Sequence, residues 1–203
     1  MASGTMSKEP HPSDSNPEHT EEETRTGAVD ESEPSPGRIL IVDYDPQWPQ
    51  LFAREADRIR SLLGSLALRI EHVGSTSVPG LSAKPIVDLL LVVEDSAQED
   101  AYAPVLGAAG YVLRIREPHW HQHRMFKGPD TDINLHVFSS GCQEIDRLLL
   151  FRDRLRGNAA DRELYARTKT VLSGQEWASV QNYADAKTAV IQEIIGRGLL
   201  DRK

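Results

Sequence analysis

Two hydrophobic periods alternate along this chain, and the change from one to the other predicts where strands and helices lie. Short runs rich in Val, Ile, Leu and aromatic residues are typical of strands and occupy residues 38–44, 68–73, 86–93, 111–116, 121–126 and 132–138. Longer segments predict amphipathic helices over residues 46–63, 96–109, 143–156, 161–172 and 178–195. The order β-α-β-β-α-β-β-β-α-α-α favours an α/β (α+β) fold, a mixed β-sheet with a C-terminal helical cap.

A polar turn joins two of the predicted strands. Gly74, Ser75, Thr76 and Ser77 directly follow a strand and are too polar to belong to the core. Successive backbone N–H groups in such a turn form a small anion-binding concavity, and the hydroxyls add donors. Lys84 adds a positive charge at the far end of the same loop. The turn predicts a phosphate or anion site, and the alternative is a tight connection whose hydroxyls cap a helix.

Asp88 lies near the start of the most apolar predicted strand. It shares one face with Leu90, and the opposite face is wholly apolar. An unpaired buried charge is very costly, so this carboxylate must have a partner. The partner is either a metal ion or a basic side chain such as Lys84, Arg124 or Arg152.

The strand predicted over residues 132–138 has one polar face. Asp132, Asn134 and His136 alternate there with apolar residues. Aligned beside Asp88, this face would form one wall of a site. His136 suits a hydrogen-bonding or general-base role, and simple packing is the alternative.

Further residues that bind ligands in other proteins occur near these strands and in the cap. His119, His121 and His123 precede His136, but their spacing matches no recognised zinc signature. Tyr183 and Lys187 are four residues apart and so share a helix face. With Arg152 they are placed to cover the site from the cap and to bind phosphate or a substrate carboxylate. Spacing alone is equally compatible with a solvated lysine beside a core tyrosine.

The first 37 residues differ in composition from the rest of the chain. They contain no Leu, Ile, Phe, Tyr or Trp, and nine acidic residues stand against two basic ones. Such a segment buries too little apolar surface to offset its chain entropy, so we predict a disordered acidic tail over residues 1–37 and a folded domain over 38–203. The tail has a net charge of −7 out of −8 for the whole chain, which leaves the domain at −1.

Charge and composition exclude several classes of function. A nearly neutral domain has no broad basic surface, so nucleic acid is not an expected partner. The single cysteine excludes an internal disulfide and a cysteine-rich zinc site. No segment has transmembrane length and the N-terminus lacks an apolar signal region, so we expect no membrane association and a reducing, cytoplasmic setting.

The string HVGSTSVPGL at residues 72–81, with AKP at 83–85 and Asp88, resembles the GrpB family. Weaker matches, such as NLHV at residues 134–137, extend the resemblance to about residues 38–200. GrpB proteins look like a branch of the polymerase-β-like nucleotidyltransferase superfold, which implies a nucleotidyltransferase-like core.

The resemblance also implies roles for particular residues. Gly74 and Ser75 would bind the β- and γ-phosphates of a nucleoside triphosphate, and Asp88 with Asp132 would hold a Mg²⁺ cofactor. Lys84 or Arg124 would neutralise developing charge. One residue departs from the pattern. Leu90 stands where an active enzyme of this superfold usually has a second carboxylate.

Two functions follow from these expectations. The first is Mg²⁺-dependent transfer of a nucleotidyl group from a nucleoside triphosphate to a small-molecule or protein acceptor. The second is a non-catalytic module that binds a nucleotide or phosphometabolite. A variant of it is an accessory of coenzyme A biosynthesis, because GrpB-like segments look like a domain fused to dephospho-coenzyme A kinases. A third reading is a metal-dependent hydrolase that uses the histidines.

Overall fold

Five strands form one mixed sheet in the computed structural model, which describes residues 39–201. They are β1 (Arg69–Val73), β2 (Val87–Val93), β3 (Val112–Glu117), β4 (His123–Lys127) and β5 (Ile133–Ser139). Their spatial order is β1-β2-β5-β4-β3, with β2 and β5 parallel and the other neighbours antiparallel. The predicted mixed sheet is confirmed.

The α-helices within residues 39–201 are α1 (Trp48–Leu63), α2 (Ala103–Ala108), α3 (Gln143–Gly157), α4 (Ala159–Ser173), α5 (Val180–Asp185) and α6 (Thr188–Leu200). The last four follow β5, so the predicted C-terminal helical cap is also confirmed. No helix in this part of the chain is long and apolar enough to cross a membrane.

Alternation along β2 divides the interior between the two faces of the sheet. Leu89 and Leu91 belong to a core that includes Ile59 of α1. Leu90 lies on the other face, in a smaller core with Phe138 of β5. Because side chains alternate along a strand, the carboxylate at position 88 lies on the same face as Leu90. It is the one polar side chain of β2.

A third core holds the C-terminal helices against the loop between β1 and β2. Val78 and Leu81 of this loop pack with Leu155 of α3, Tyr165 of α4 and Ile194 of α6. Burial of these apolar side chains is what fixes the cap on the loop. The cap therefore lies beside the polar turn with which the loop begins.

Three predicted elements differ in detail. The run predicted as a strand over residues 38–44 is not part of the sheet, because its Val42 forms an isolated bridge with Ala83 of the loop. Arg38 and the predicted acidic tail lie outside the described residues. The helix predicted over 96–109 is a 3₁₀ turn followed by α2, since Pro104 lacks an N–H and begins the helix instead of continuing it.

The helix predicted over residues 178–195 is divided into α5 and α6. At the division the N–H of Lys187 bonds to the carbonyl of Ala184, three residues back. Such a 3₁₀-type bond tightens the turn and separates the helices.

Candidate functional site

The Gly74–Ser77 turn packs directly against Asp88. Gly74 has a φ of 67°, in the left-handed region that favours glycine, and Ser75–Ser77 form one 3₁₀ turn after it. A Cβ on Gly74 would lie 2.3 Å from Oδ2 of Asp88. Only glycine therefore permits this approach, which brings the turn and the carboxylate into one site.

The three hydroxyls of the turn point in different directions. Thr76 is buried, and its Oγ1 lies 3.1 Å from Nε2 of His72. Ser77 is buried too and donates to the carbonyl of Gly74 at 2.6 Å. These two hydroxyls stabilise the turn itself. Ser75 remains as the hydroxyl that lines the adjoining pocket.

That pocket has a volume of about 160 Å³ and lies between the turn, the sheet and the cap. We call it the lysine pocket. Its polar lining consists of Ser75, Lys84, Asp88, Asn134, Lys169 and Lys187, with Tyr183 beside them. The structure thus brings together five of the predicted site residues from two distant parts of the chain, residues 75–88 and 183–187.

Two of the lysines pack against tyrosine rings, Lys169 fully buried and Lys187 half-buried. Lys169 lies 4.9 Å from the ring centroid of Tyr165 and donates to the carbonyl of Ser82 at 2.5 Å. Lys187 lies 4.2 Å from the ring centroid of Tyr183. A cation–π contact and a hydrogen bond to a carbonyl offset only part of the free-energy cost of removing an ammonium group from water.

Burial therefore perturbs both amines. It lowers the pKa of Lys169 to about 7, and the charge of Lys187 adds to the effect. It lowers the pKa of Lys187 to about 8, against the opposing attraction of Asp88. Within the described residues neither lysine forms an ion pair with a carboxylate, and neither does Lys84. The pocket thus has three amines and one carboxylate.

Asp88 is held by the neighbouring strand β5. Its Oδ1 accepts a hydrogen bond of 2.8 Å from Nδ2 of Asn134 and lies 3.7 Å from Nε2 of His136. The Asp88 side chain is 26% exposed, so it is open to a ligand. In the described part of the chain, Oδ1 of Asn134 is buried and has no protein partner.

His136 is the end of a hydrogen-bonded chain that crosses to β3. Its Nδ1 lies 3.0 Å from Nε2 of His123, and Nδ1 of His123 lies 2.6 Å from Oε2 of Glu117. Burial lowers the pKa of His123, and the hydrogen bond that Glu117 accepts from it opposes that change. Sequence reasoning placed His136 in the site but did not connect it to these two residues.

The two arginines that were predicted to bind substrate lie elsewhere. The guanidinium of Arg124 is buried and donates to Glu99 at 2.6 Å, and Arg152 donates to Glu71 at 2.7 Å. Neither lines the lysine pocket. The structure does not bring these two arginines to the ligand-binding position that the sequence predicted, because carboxylates elsewhere in the fold neutralise them.

Asp132 is also outside the lysine pocket. Its carboxylate is largely exposed and forms an ion pair of 2.9 Å with Lys127. Leu90 is fully buried in the smaller core. No group of three or more His, Cys, Asp or Glu among residues 39–201 is arranged to hold a metal. The residues present therefore do not fit a Mg²⁺ site with two carboxylates.

Sequence reasoning missed Lys169 of the lysine pocket, and it placed Asn134 on the site wall without identifying its hydrogen bond to Asp88. Lys169 follows Tyr165 by four residues, the same spacing that singled out Tyr183 and Lys187. Asn134 lies opposite Asp88 in the register of β2 and β5. The repeated Tyr-x₃-Lys spacing was the available signal for Lys169, whereas Asn134 needed the strand register.

A second cavity, of about 190 Å³, lies between β2 and the 3₁₀ turns at residues 64–66 and 99–101. Leu66, Leu68 and Tyr102 form much of its wall. Its lining contains no basic residue and no residue of the Gly74–Ser77 turn. The lysine pocket is therefore the better candidate for polar chemistry.

The family model for GrpB protein matches residues 38–197. The chain belongs to the GrpB family. A UPF0157 protein of Halalkalibacterium halodurans is 61% identical to it over 178 residues, which cover 88% of this chain and 91% of that protein. The resemblance found in residues 72–88 is thus confirmed at the level of the family.

Two further comparisons extend this result. The crystal structure of GrpB from Enterococcus faecalis is similar, with a TM-score of 0.71, 31% identity and coverage of 80% of this chain and 99% of that chain. A dephospho-CoA kinase of Mycobacterium tuberculosis is 30% identical over 173 residues, which cover 72% of this chain and 42% of that enzyme. The GrpB fold therefore also resembles part of a longer enzyme.

Proposed function

We propose that this GrpB protein binds the phosphoryl end of a nucleotide or phosphorylated metabolite in the lysine pocket. The observation that supports this is the set of three lysines without carboxylate partners around one pocket. Buried amines are costly unless a ligand anion compensates them, and phosphate oxygens accept hydrogen bonds from ammonium and hydroxyl donors. Ser75 supplies the hydroxyl donor next to them.

The size of the pocket restricts what it encloses. Its volume of about 160 Å³ is below the roughly 300–1,000 Å³ that is typical of pockets enclosing a whole drug-sized ligand. A phosphoryl group fits inside, and the rest of a nucleotide would lie outside it. Recognition is therefore expected to depend mainly on the phosphates and less on the base.

This proposal is tested by calorimetric titration of ATP and pyrophosphate in the presence of EDTA. Lys187→Met should weaken binding of both by about tenfold or more, because it removes one of the amines that face the anion. Arg167→Met is the matched control, since it removes the same charge from the exposed surface of α4, where Arg167 pairs with Glu163. Equal affinity in the wild type and Lys187→Met would refute phosphate binding at this position.

Nucleotidyl transfer is the second candidate. It is favoured by the position of Asp88, which lines the same pocket as Ser75 directly beside the glycine turn, as the GrpB resemblance implies. Asp88 is the one carboxylate of the described pocket that is placed to bind Mg²⁺, and one carboxylate does not hold a metal pair. When bound, such an ion neutralises charge on transferred phosphates.

The transferase candidate is tested with an α-labelled nucleoside triphosphate, Mg²⁺ or Mn²⁺, and a panel of protein and small-molecule acceptors. Transfer by the wild type that is lost in Asp88→Asn supports it. Binding of the nucleotide with no label transfer to any acceptor leaves the binding proposal and excludes catalysis under those conditions.

The similarity to a dephospho-CoA kinase suggests one ligand class. We include dephospho-coenzyme A in the titration as a representative phosphometabolite of coenzyme A synthesis. Tighter binding of it than of ATP would favour an accessory role in that process. A cytoplasmic location fits the single cysteine and remains a prediction.

A further inference from the structure

The lysine pocket contains charged groups of both signs. Its lining includes the amines of Lys84, Lys169 and Lys187, and it also includes the carboxylate of Asp88. A bound phosphate accounts for the amines but not for the carboxylate, since two anionic groups in one site repel each other. A ligand that fits the whole pocket therefore needs a second group, one that the carboxylate attracts.

Asp88 has unused capacity to bind such a group. Among residues 39–201, the hydrogen bond of 2.8 Å from Nδ2 of Asn134 is the one that its carboxylate accepts. A carboxylate offers roughly four lone-pair sites, and this side chain is 26% exposed. No lysine of the pocket forms an ion pair with it in the described structure. A donor group of a ligand can therefore bind there.

A second acceptor lies beside this carboxylate. Asn134 is opposite Asp88 in the register of β2 and β5 and lines the same pocket. Because a carboxylate only accepts, Asn134 must turn its NH₂ group toward Asp88, which leaves Oδ1 as an acceptor. This oxygen is buried and has no protein partner in the described region. Since buried polar atoms are nearly always hydrogen-bonded, this oxygen also requires a donor.

The two acceptors are close to the cationic part of the pocket. Burial lowers the pKa of Lys187, and the attraction of Asp88 opposes that change, so the two charges interact although they form no ion pair. Lys187 and Asp88 also line one cavity of about 160 Å³. A short molecule is therefore long enough to contact the amine and the carboxylate at the same time.

From this arrangement we propose that the ligand of the lysine pocket is a phosphorylated amine, in which a short aliphatic chain separates a phosphate from an ammonium group. The lysines bind the phosphate oxygens, and Asp88 and Asn134 accept hydrogen bonds from the ammonium. An ammonium suits this position better than a hydroxyl, because a hydrogen bond between two ionised groups is stronger than one from a neutral donor. The inference rests on the proposed function and makes Asp88 the residue that selects among phosphates.

The test is calorimetric titration of the full-length protein at neutral pH in EDTA with aminoethyl phosphate and with propyl phosphate. The two compounds have the same shape, and a methyl group in the second replaces the ammonium of the first. We expect the wild type to bind aminoethyl phosphate about tenfold more tightly. Asp88→Asn keeps the size of the side chain and should bind the two with affinities within about twofold of each other, because its charge is gone.

Asp132→Asn is the matched control, because it removes an exposed carboxylate that pairs with Lys127 outside the pocket. It should keep the preference of the wild type. Equal affinity of the wild type for the two phosphates would overturn the inference, and this comparison needs no variant to fold. A preference that persists in Asp88→Asn would overturn the role of Asp88.

The same titrations separate this inference from the proposed function. Binding of propyl phosphate that Lys187→Met weakens by about tenfold, with no tighter binding of aminoethyl phosphate, would leave the proposed function standing and refute only the phosphorylated amine. If neither compound nor pyrophosphate bound to the wild type, both proposals would be wrong.

Discussion

The cationic side chains of this protein occupy two contrasting environments. Arg124 and Arg152 are paired with Glu99 and Glu71 at distances of 2.6 and 2.7 Å. Among the described residues, Asp88 is the carboxylate that lines the lysine pocket, Asp185 adds a weaker attraction to Lys187, and neither forms an ion pair with a pocket lysine. The arginines are neutralised within the fold, whereas the lysines retain unused donors.

The titration behaviour reflects this difference. A hydrogen bond from Arg116, followed by one from Arg124, lowers the pKa of Glu99. Lys169 and Lys187 instead have lowered pKa values because burial disfavours their charged forms. The ion pairs of Glu99 therefore contribute to the stability of the folded protein. The charged forms of Lys169 and Lys187 instead lower that stability. Such a cost is typical of functional sites.

The largest expected effect is that of Arg124→Met. The substitution removes the hydrogen bond of a buried guanidinium to Glu99, while Arg116 keeps Glu99 paired, so we expect a loss of about 2 kcal/mol in the free energy of unfolding by urea. Sulfate binding to the lysine pocket should stay within twofold of the wild type. If Arg124→Met lowered sulfate affinity as much as substitution of a pocket lysine does, Arg124 would be a binding residue. The distinction between paired arginines and ligand-binding lysines would then be wrong.

Lys169→Met should have the opposite effect on stability. A lysine pKa of about 7 implies a cost of several kcal/mol at neutral pH, of which the substitution should recover roughly 1–2 kcal/mol after losing the bond to the Ser82 carbonyl. Sulfate affinity should fall by about tenfold. Arg167→Met, on the surface of the same helix, should change stability by less than about 0.5 kcal/mol. Destabilisation by Lys169→Met would show that this lysine is structural.

The smallest expected effect is a dependence of sulfate affinity on pH. Anions bind the protonated amines, and the pKa values of Lys187 and Lys169 are about 8 and about 7. Both amines are mainly neutral at about pH 9 and mainly charged at about pH 6, so affinity should rise by about tenfold as the pH falls. Sulfate keeps its charge over this range. The double variant Lys169→Met, Lys187→Met should show a flat profile by the same calorimetry.

Local patterns in the sequence predicted most of the elements. The apolar run of β2 and the alternation of β5 identified both central strands, because burial on one or both faces restricts which side chains a strand accepts. The predicted helix over residues 46–63 corresponds to α1. One error lies where a contact distant in sequence decided the outcome, the bridge between Val42 and Ala83, and the other two lie at local helix breaks, at Pro104 and at Lys187.

The sequence by itself determined that Gly74 and Asp88 are exceptional. A glycine–hydroxyl turn between strands and a carboxylate in an apolar run each conflict with ordinary packing, so each indicates a site wherever the chain folds. These signals are local, and the turn and the carboxylate are separated by fewer than twenty residues.

Only the tertiary structure decided which side chains join them. The sequence alone does not distinguish the roles of the two cations Arg124 and Lys169. In the structure Arg124 forms an ion pair with Glu99, whereas Lys169 packs on a tyrosine ring and lines the lysine pocket. The pairing of His136 with His123 likewise depends on the register of β4 against β5. Charge pairing and strand register join residues that are distant in the chain, and no local pattern contains that information.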